Sequence, residues 1–147
     1  MSHVAKIKVQ VKSLAALREA AKDCGCELVE NVHTYKWFGK HVGDYPLPEG
    51  FTKEMLGTCD HVIRVKDADQ RCYEVGVVKS KKHDGFELLF DFWAQGYGLQ
   101  QAVGKDGNKL AQAYSTNVAL RKLRADGWED LTKVVNDDGY VDIVAYK

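Results

Sequence analysis

The sequence predicts an α+β fold: one domain over residues 1–147, mainly an antiparallel sheet of about six or seven strands with two helices packed on one face. Three observations predict it. A chain of 147 residues with 45% apolar and 29% charged residues is one domain, long enough for a full core. Period-two alternation recurs in blocks of successive segments, whereas helical periodicity occurs in two places only. Strands therefore do not alternate strictly with helices, as a parallel sheet would require.

The elements follow in order. "HVAKIKVQVK" alternates, with Ala5, Ile7, Val9 and Val11 between Val4, Lys6, Lys8 and Gln10, and reads as a strand with one buried face. Ser13 caps a helix on which Leu14, Leu17, Ala20, Ala21 and Cys24 recur at helical spacing, and Gly25 closes it. "CELVENVHTYKWF" reads as a second strand. The segment at about 37–57 reads as an inserted loop, because "GDYPLPEG" holds both prolines with two glycines, and "FTKEMLG" suits one helical turn. "HVIRVK", "CYEVGVVKS" and "FELLFDFW" read as strands, and "NKLAQAYSTNVALRKLRADG" as a long helix capped by Asn108 and ended at Gly127. "EDLTKVV", "NDDG" and "YVDIVAYK" form a hairpin signature.

The segment Gly85 to Gly96, "GFELLFDFWAQG", carries four aromatics and two acids, Glu87 and Asp91. Alternation sets Phe86, Leu88, Phe90 and Phe92 on one wholly apolar face, directed at the helices. It sets Asp91 and Trp93 on the other face, which is expected to be open. There the carboxylate either grips a ligand amine or bridges a cross-strand Lys or Arg. On the long helix, Tyr114, Asn117 and Arg121 share a stripe flanked by apolar positions on both sides. This is either a recognition stripe or arginines lying over a broad apolar face.

Charge and motif narrow the function. Net charge is zero, which opposes a protein that coats nucleic acid. Local basic groups (Lys79, Lys81 and Lys82; Lys109, Arg121 and Arg124) keep a nucleic-acid module as one alternative. Cys24–Cys26 and Cys59–His61 lack zinc-ligand spacing, so no metal and no cofactor is expected. No nucleophile motif and no phosphate loop is present. No apolar run reaches the roughly 18 residues of a membrane span, and "MSHVAKIKVQVK" lacks a signal-peptide core. A protein of the compartment of synthesis, cytoplasmic and with reduced cysteines, is the expectation.

In their order, "MSH", "IKVQ", "LAALREAAKDCGCELVEN", "HVIRV", "YEVGV", "GFELLFDFW", "KLAQAYSTNVALRKLRADGW" and "DDGYVDIV" resemble a family of small conserved hypothetical proteins. That family, a domain of unknown function, is encoded in cyanobacterial and algal plastid genomes and in other bacteria and phages. The resemblance covers most of the chain except residues 37–57, where family members are much shorter. It implies no reaction. It does imply that His3, Asp91 with Trp93, and Tyr114 with Asn117, recurrent in the pattern, belong to one site.

The leading expectation is a non-catalytic binding or accessory protein that engages a protein partner or a small ligand. It would use the mixed sheet face, the long helix and an aromatic loop whose anchors are Trp37, Phe38, Tyr45 and Phe51. The site residues expected are His3, Asp91, Trp93, Tyr114, Asn117 and Arg121. A small enzyme using Asp91 and His3 as an acid–base pair is the other alternative, and it requires the first strand beside the aromatic strand.

Overall fold

The alternating N-terminal segment forms β1 (Val4–Val11), which buries Ile7 and Val11 on one face and Val4 on the other. The computed structural model describes residues 3–41, 45–135 and 141–146. Ser13 caps α1 (Leu14–Asp23) by accepting from the Ala16 N–H at 3.1 Å, and Ala16, Leu17, Ala20 and Ala21 form its buried stripe. The chain continues through β2 (Cys26–Glu30), β3 (His61–Val65), β4 (Val75–Lys79) and β5 (Phe86–Asp91). A short helix α2 (Leu99–Val103) precedes the long α3 (Asn108–Ala125), and β6 (Glu129–Val135) pairs with β7 (Val141–Tyr146).

The fold is α+β, and among the described residues every strand pairing is antiparallel. Among the described residues the seven strands divide into a five-stranded sheet, ordered β1-β5-β4-β3-β2, and a separate β6–β7 hairpin. The hairpin is tied to α1 by Lys133 Nζ, 2.9 Å from Asp23 Oδ2. Its expected turn, at 136–139, lies outside the described residues. The strand expected through Phe38 ends at Glu30, and α3 begins after Gly107 rather than being capped by Asn108.

Two cores sandwich the sheet. Helices α1 and α3 pack together over one face, enclosing Ile7, Leu17, Ile63, Val75, Val77, Leu88, Phe90 and Leu110. The long connection between β2 and β3 covers the other face. There Tyr35, Phe51 and Leu56 bury against Val4, Val62 and Leu89. This connection is held by a bridge between Thr34 and Thr58 and by a 3-10 turn at Lys53–Met55.

The expectation of an open second face is therefore corrected. The register is as read: Leu88 and Phe90 lie under the helices, with Phe86 and Phe92 packed against the same cluster. The opposite face is roofed instead of open, and Asp91 is fully buried at 0% exposure. Alternation fixes which residues share a face but not what covers it.

After β5 the chain makes an unusual turn. Ala94, Gln95, Gly96 and Tyr97 all adopt positive φ, from 51° to 66°. Three of the four are not glycine, and each left-handed L-residue costs roughly 1–2 kcal/mol. The Tyr73 N–H donates to Gly96 O at 2.9 Å, and Tyr73 and Tyr97 stack edge-on at 5.2 Å, which holds the turn against the sheet.

Candidate functional site

Asp91 sits where β5 ends beside the start of β1, paired with Val4 across the strands. Its Oδ1 accepts from the backbone N–H of His3 at 2.9 Å and of Trp93 at 3.0 Å. Its Oδ2 accepts from the N–H of Phe38 at 3.0 Å. A buried carboxylate is tolerated when such donors replace water. Three separate segments are thereby pinned to one side chain. Asp91 is a tie of the backbone, and its carboxylate faces amides rather than a space that a reactant could enter.

Around this tie the side chains of His3, Tyr45, Phe92 and Trp93 form an aromatic cluster. His3 lies 5.0 Å from Tyr45, 5.3 Å from Phe92 and 5.3 Å from Trp93, the last edge-on. Tyr45 meets Phe92 edge-on at 5.2 Å. Such tilted arrangements align ring edges with ring faces. β1 does lie beside the aromatic strand, and it brings His3 to Asp91, though through its backbone.

Tyr45 also lines a cleft of about 620 Å³. Ala5, Lys6, Lys8 and Val9 of β1 form one wall; Asn108, Ala111, Gln112 and Ser115 of α3 form the other, and Asp106 adds to the lining. The four α3 positions fall at i, i+3, i+4 and i+7, a single helix face. β1 is the outermost strand and, among the described residues, pairs only with β5. Residues from both faces of β1 line the cleft, so it wraps round the open strand edge. Gly107 holds the helix wall in place: at φ 73° it lies so close to β1 that a Cβ there would sit 2.5 Å from Ile7 Cδ1.

The other expected residues lie apart. The Tyr114 hydroxyl accepts from the N–H of Lys12 at 2.8 Å and of Ser13 at 3.1 Å. Asn117 Nδ2 donates to Asp23 Oδ2 and to Ala113 O, both at 2.8 Å. Both residues are buried, so this part of the stripe is the seam that joins α3 to α1, and Arg121 is exposed at its far end. Among the loop anchors, Phe51 is buried and Trp37 packs against the second core, while Phe38 is exposed. Tyr45 alone of the loop aromatics reaches the cleft.

The thiols are poorly suited to chemistry. Burial pushes Cys26 and Cys59 up to about 12, and Cys24 and Cys72 are raised for the same reason. Among the described residues no three His, Cys, Asp or Glu side chains are grouped to hold a metal ion, and no helix is long and apolar enough to cross a membrane. In the basic group at 79–82, Lys82 is engaged by Glu49 at 2.7 Å, and this bond holds the Glu49 carboxyl below its ordinary value.

Lys6, Lys8, Asp106, Asn108, Gln112 and Ser115 were not among the expected site residues. Alternation marks Lys6 and Lys8 as outward-facing but not as edge residues. The strand order that leaves β1 outermost is a long-range property. No protein-family model, curated protein or solved structure matches the chain.

Proposed function

We propose that the protein is a non-catalytic binding module whose partner or ligand docks in the cleft between the outer edge of β1 and α3. The observation that carries this reading is the open strand edge facing a helix across a cleft of about 620 Å³, a size suited to a ligand. The expected mixed sheet face is roofed by the 31–60 connection, whereas the outer edge of β1 has no strand partner among the described residues. An acid–base pair of Asp91 and His3 is opposed by the burial of Asp91 and by its three backbone donors.

The test is amide NMR of isotope-labelled protein titrated with a fragment library and a random-peptide pool. Shifts should concentrate on residues 5–9 and 108–115. Ser115→Arg, which places a long side chain in the cleft from an exposed helix position, should abolish them while leaving the fold intact. Shifts confined to other surfaces, and unaffected by Ser115→Arg, would sink the reading.

A further inference from the structure

We infer that the occupant of this cleft is an extended, acidic peptide segment of a partner protein, which adds to β1 as a sixth strand. The inference rests on the binding reading above and specifies its ligand.

Strand geometry comes first. The Phe92 N–H donates to His3 O at 3.0 Å, so His3 directs its carbonyl at β5. Alternation then turns the backbone N–H and C=O groups of Val4 and Lys6 to the open edge. An added strand satisfies such groups with main-chain hydrogen bonds. The pairing of β1 with β5 becomes irregular between Ile7 and Val11, which limits the regular edge to the first half of the strand.

The dimensions agree with this. From Ala5 to Val9 the strand wall runs about 13 Å at the usual rise per residue. From Asn108 to Ser115 the helix wall runs about 10 Å. Three or four extended residues fill that length. Because the cleft wraps both faces of β1, alternate side chains of the guest would meet α3 on one side and Lys6 and Lys8 on the other.

Charge selects the guest. Lys6 is half-buried and lies 3.4 Å from Glu87. Lys8 is exposed and enters none of the ion pairs among the described residues. Among the described residues the one acid lining the cleft is Asp106. A carboxylate on the guest opposite Lys8 is the complementary group. The same lysines argue against a second copy of this chain, since a two-fold edge pairing would bring Lys6 and Lys8 of both copies together. Lysines on an exposed edge oppose such self-pairing.

The experiment uses the full chain and acetylated, amidated seven-residue peptides, one alternating glutamate and valine and one alternating lysine and valine. Binding is followed by fluorescence anisotropy and mapped by amide NMR. The glutamate peptide should bind at residues 4–9 and 108–115, and Lys8→Glu should weaken it by about tenfold and reverse the preference towards the lysine peptide. Methylating the peptide nitrogens at one alternate set of positions should abolish binding, and methylating the other set should not, because only one set faces β1. Equal binding of both peptides, loss with both methylated sets, or loss with neither would overturn the strand-addition proposal. Concentration-dependent dimerisation through β1 would overturn it too. If fragments shift the cleft but no peptide does, the peptide proposal fails and the binding reading stands. If nothing shifts the cleft, both fail.

Discussion

Asp91 accepts hydrogen bonds from three backbone N–H groups while shut away from solvent, so its substitution strands buried donors. Asp91→Ala should lower unfolding free energy by about 3 to 5 kcal/mol. Asp91→Asn should cost about 2 to 3 kcal/mol, because one oxygen still serves His3 and Trp93 while an amide nitrogen is set against the Phe38 N–H. Phe90→Ala, on the opposite face, should cost a similar 3 to 5 kcal/mol. Denaturant midpoints of the three variants check this, and an Asp91→Ala protein as stable as the parent would show that the donors find water. The identity of Asp91 as an odd residue among aromatics is visible in the sequence. Its burial is not, because the cover comes from the Phe38 segment, 53 positions away. A second group of residues responds to alkali. Burial raises Cys26 and Cys59 from 9.0, and Tyr35 from 10.0, to about 12. Each holds its proton more tightly folded than unfolded, so the stability it lends is complete below those ordinary values and drains away as pH rises towards 12. Unfolding free energy should fall across pH 9 to 12, with a shallower slope in Cys26→Ala; identical slopes would remove Cys26 from the account.

At the scale of elements, the seam between α1 and α3 is polar as well as apolar. The Tyr114 hydroxyl serves two N–H groups at the entry to α1, and Asn117 reaches Asp23 at its far end. Tyr114→Phe should cost about 1 to 2 kcal/mol, whereas exposed Arg121→Ala should change stability by less than about 0.5 kcal/mol. Thermal unfolding of both variants distinguishes this seam from a stripe of equivalent surface residues. The apolar flanks on both sides of the stripe are legible in sequence; that its polar members point inward is decided by the polar groups α1 presents to them. Strand alternation is likewise legible, because its period of two is local. The left-handed turn at 94–97 is not, since Ala94 and Gln95 do not favour that conformation and only tertiary packing imposes it. Relieving it at one position, Gln95→Gly, should stabilise the protein by about 0.5 to 1 kcal/mol despite the added chain freedom of glycine. A loss of stability would mean that the Gln95 side chain, which accepts from Gln101 Nε2 at 3.4 Å, contributes more than the backbone costs.

Across the whole molecule, the sheet is roofed on one side by helices and on the other by a connection with little regular structure. Replacing residues 37–55 by a short linker should expose Leu89, Val62 and Val4 and strip Asp91 of its Phe38 donor. The expected result is a protein that binds hydrophobic dye and melts at lower temperature; a variant indistinguishable from the parent would reduce the connection to an ornament of the fold. The α+β class is legible because strands and helices come in blocks, whereas the order that places the first strand at the edge depends on pairings as distant as Val4 with Asp91 and Val11 with Phe86. That separation also has a kinetic side. Asp91 closes one chain loop to His3, 88 positions away, and another to Phe38, 53 away. Long loops must be closed before their contacts reward them, so a tie that closes two at once belongs to the last stage of assembly. A carboxylate fastened after the transition state governs escape from the native state rather than arrival at it. In stopped-flow measurements Asp91→Asn should steepen the loss of native protein by raising the unfolding rate, with the refolding rate almost unchanged. A marked slowing of refolding would instead place this residue in the nucleus. With the expected outcome, Asp91 is a latch on the lifetime of the folded chain.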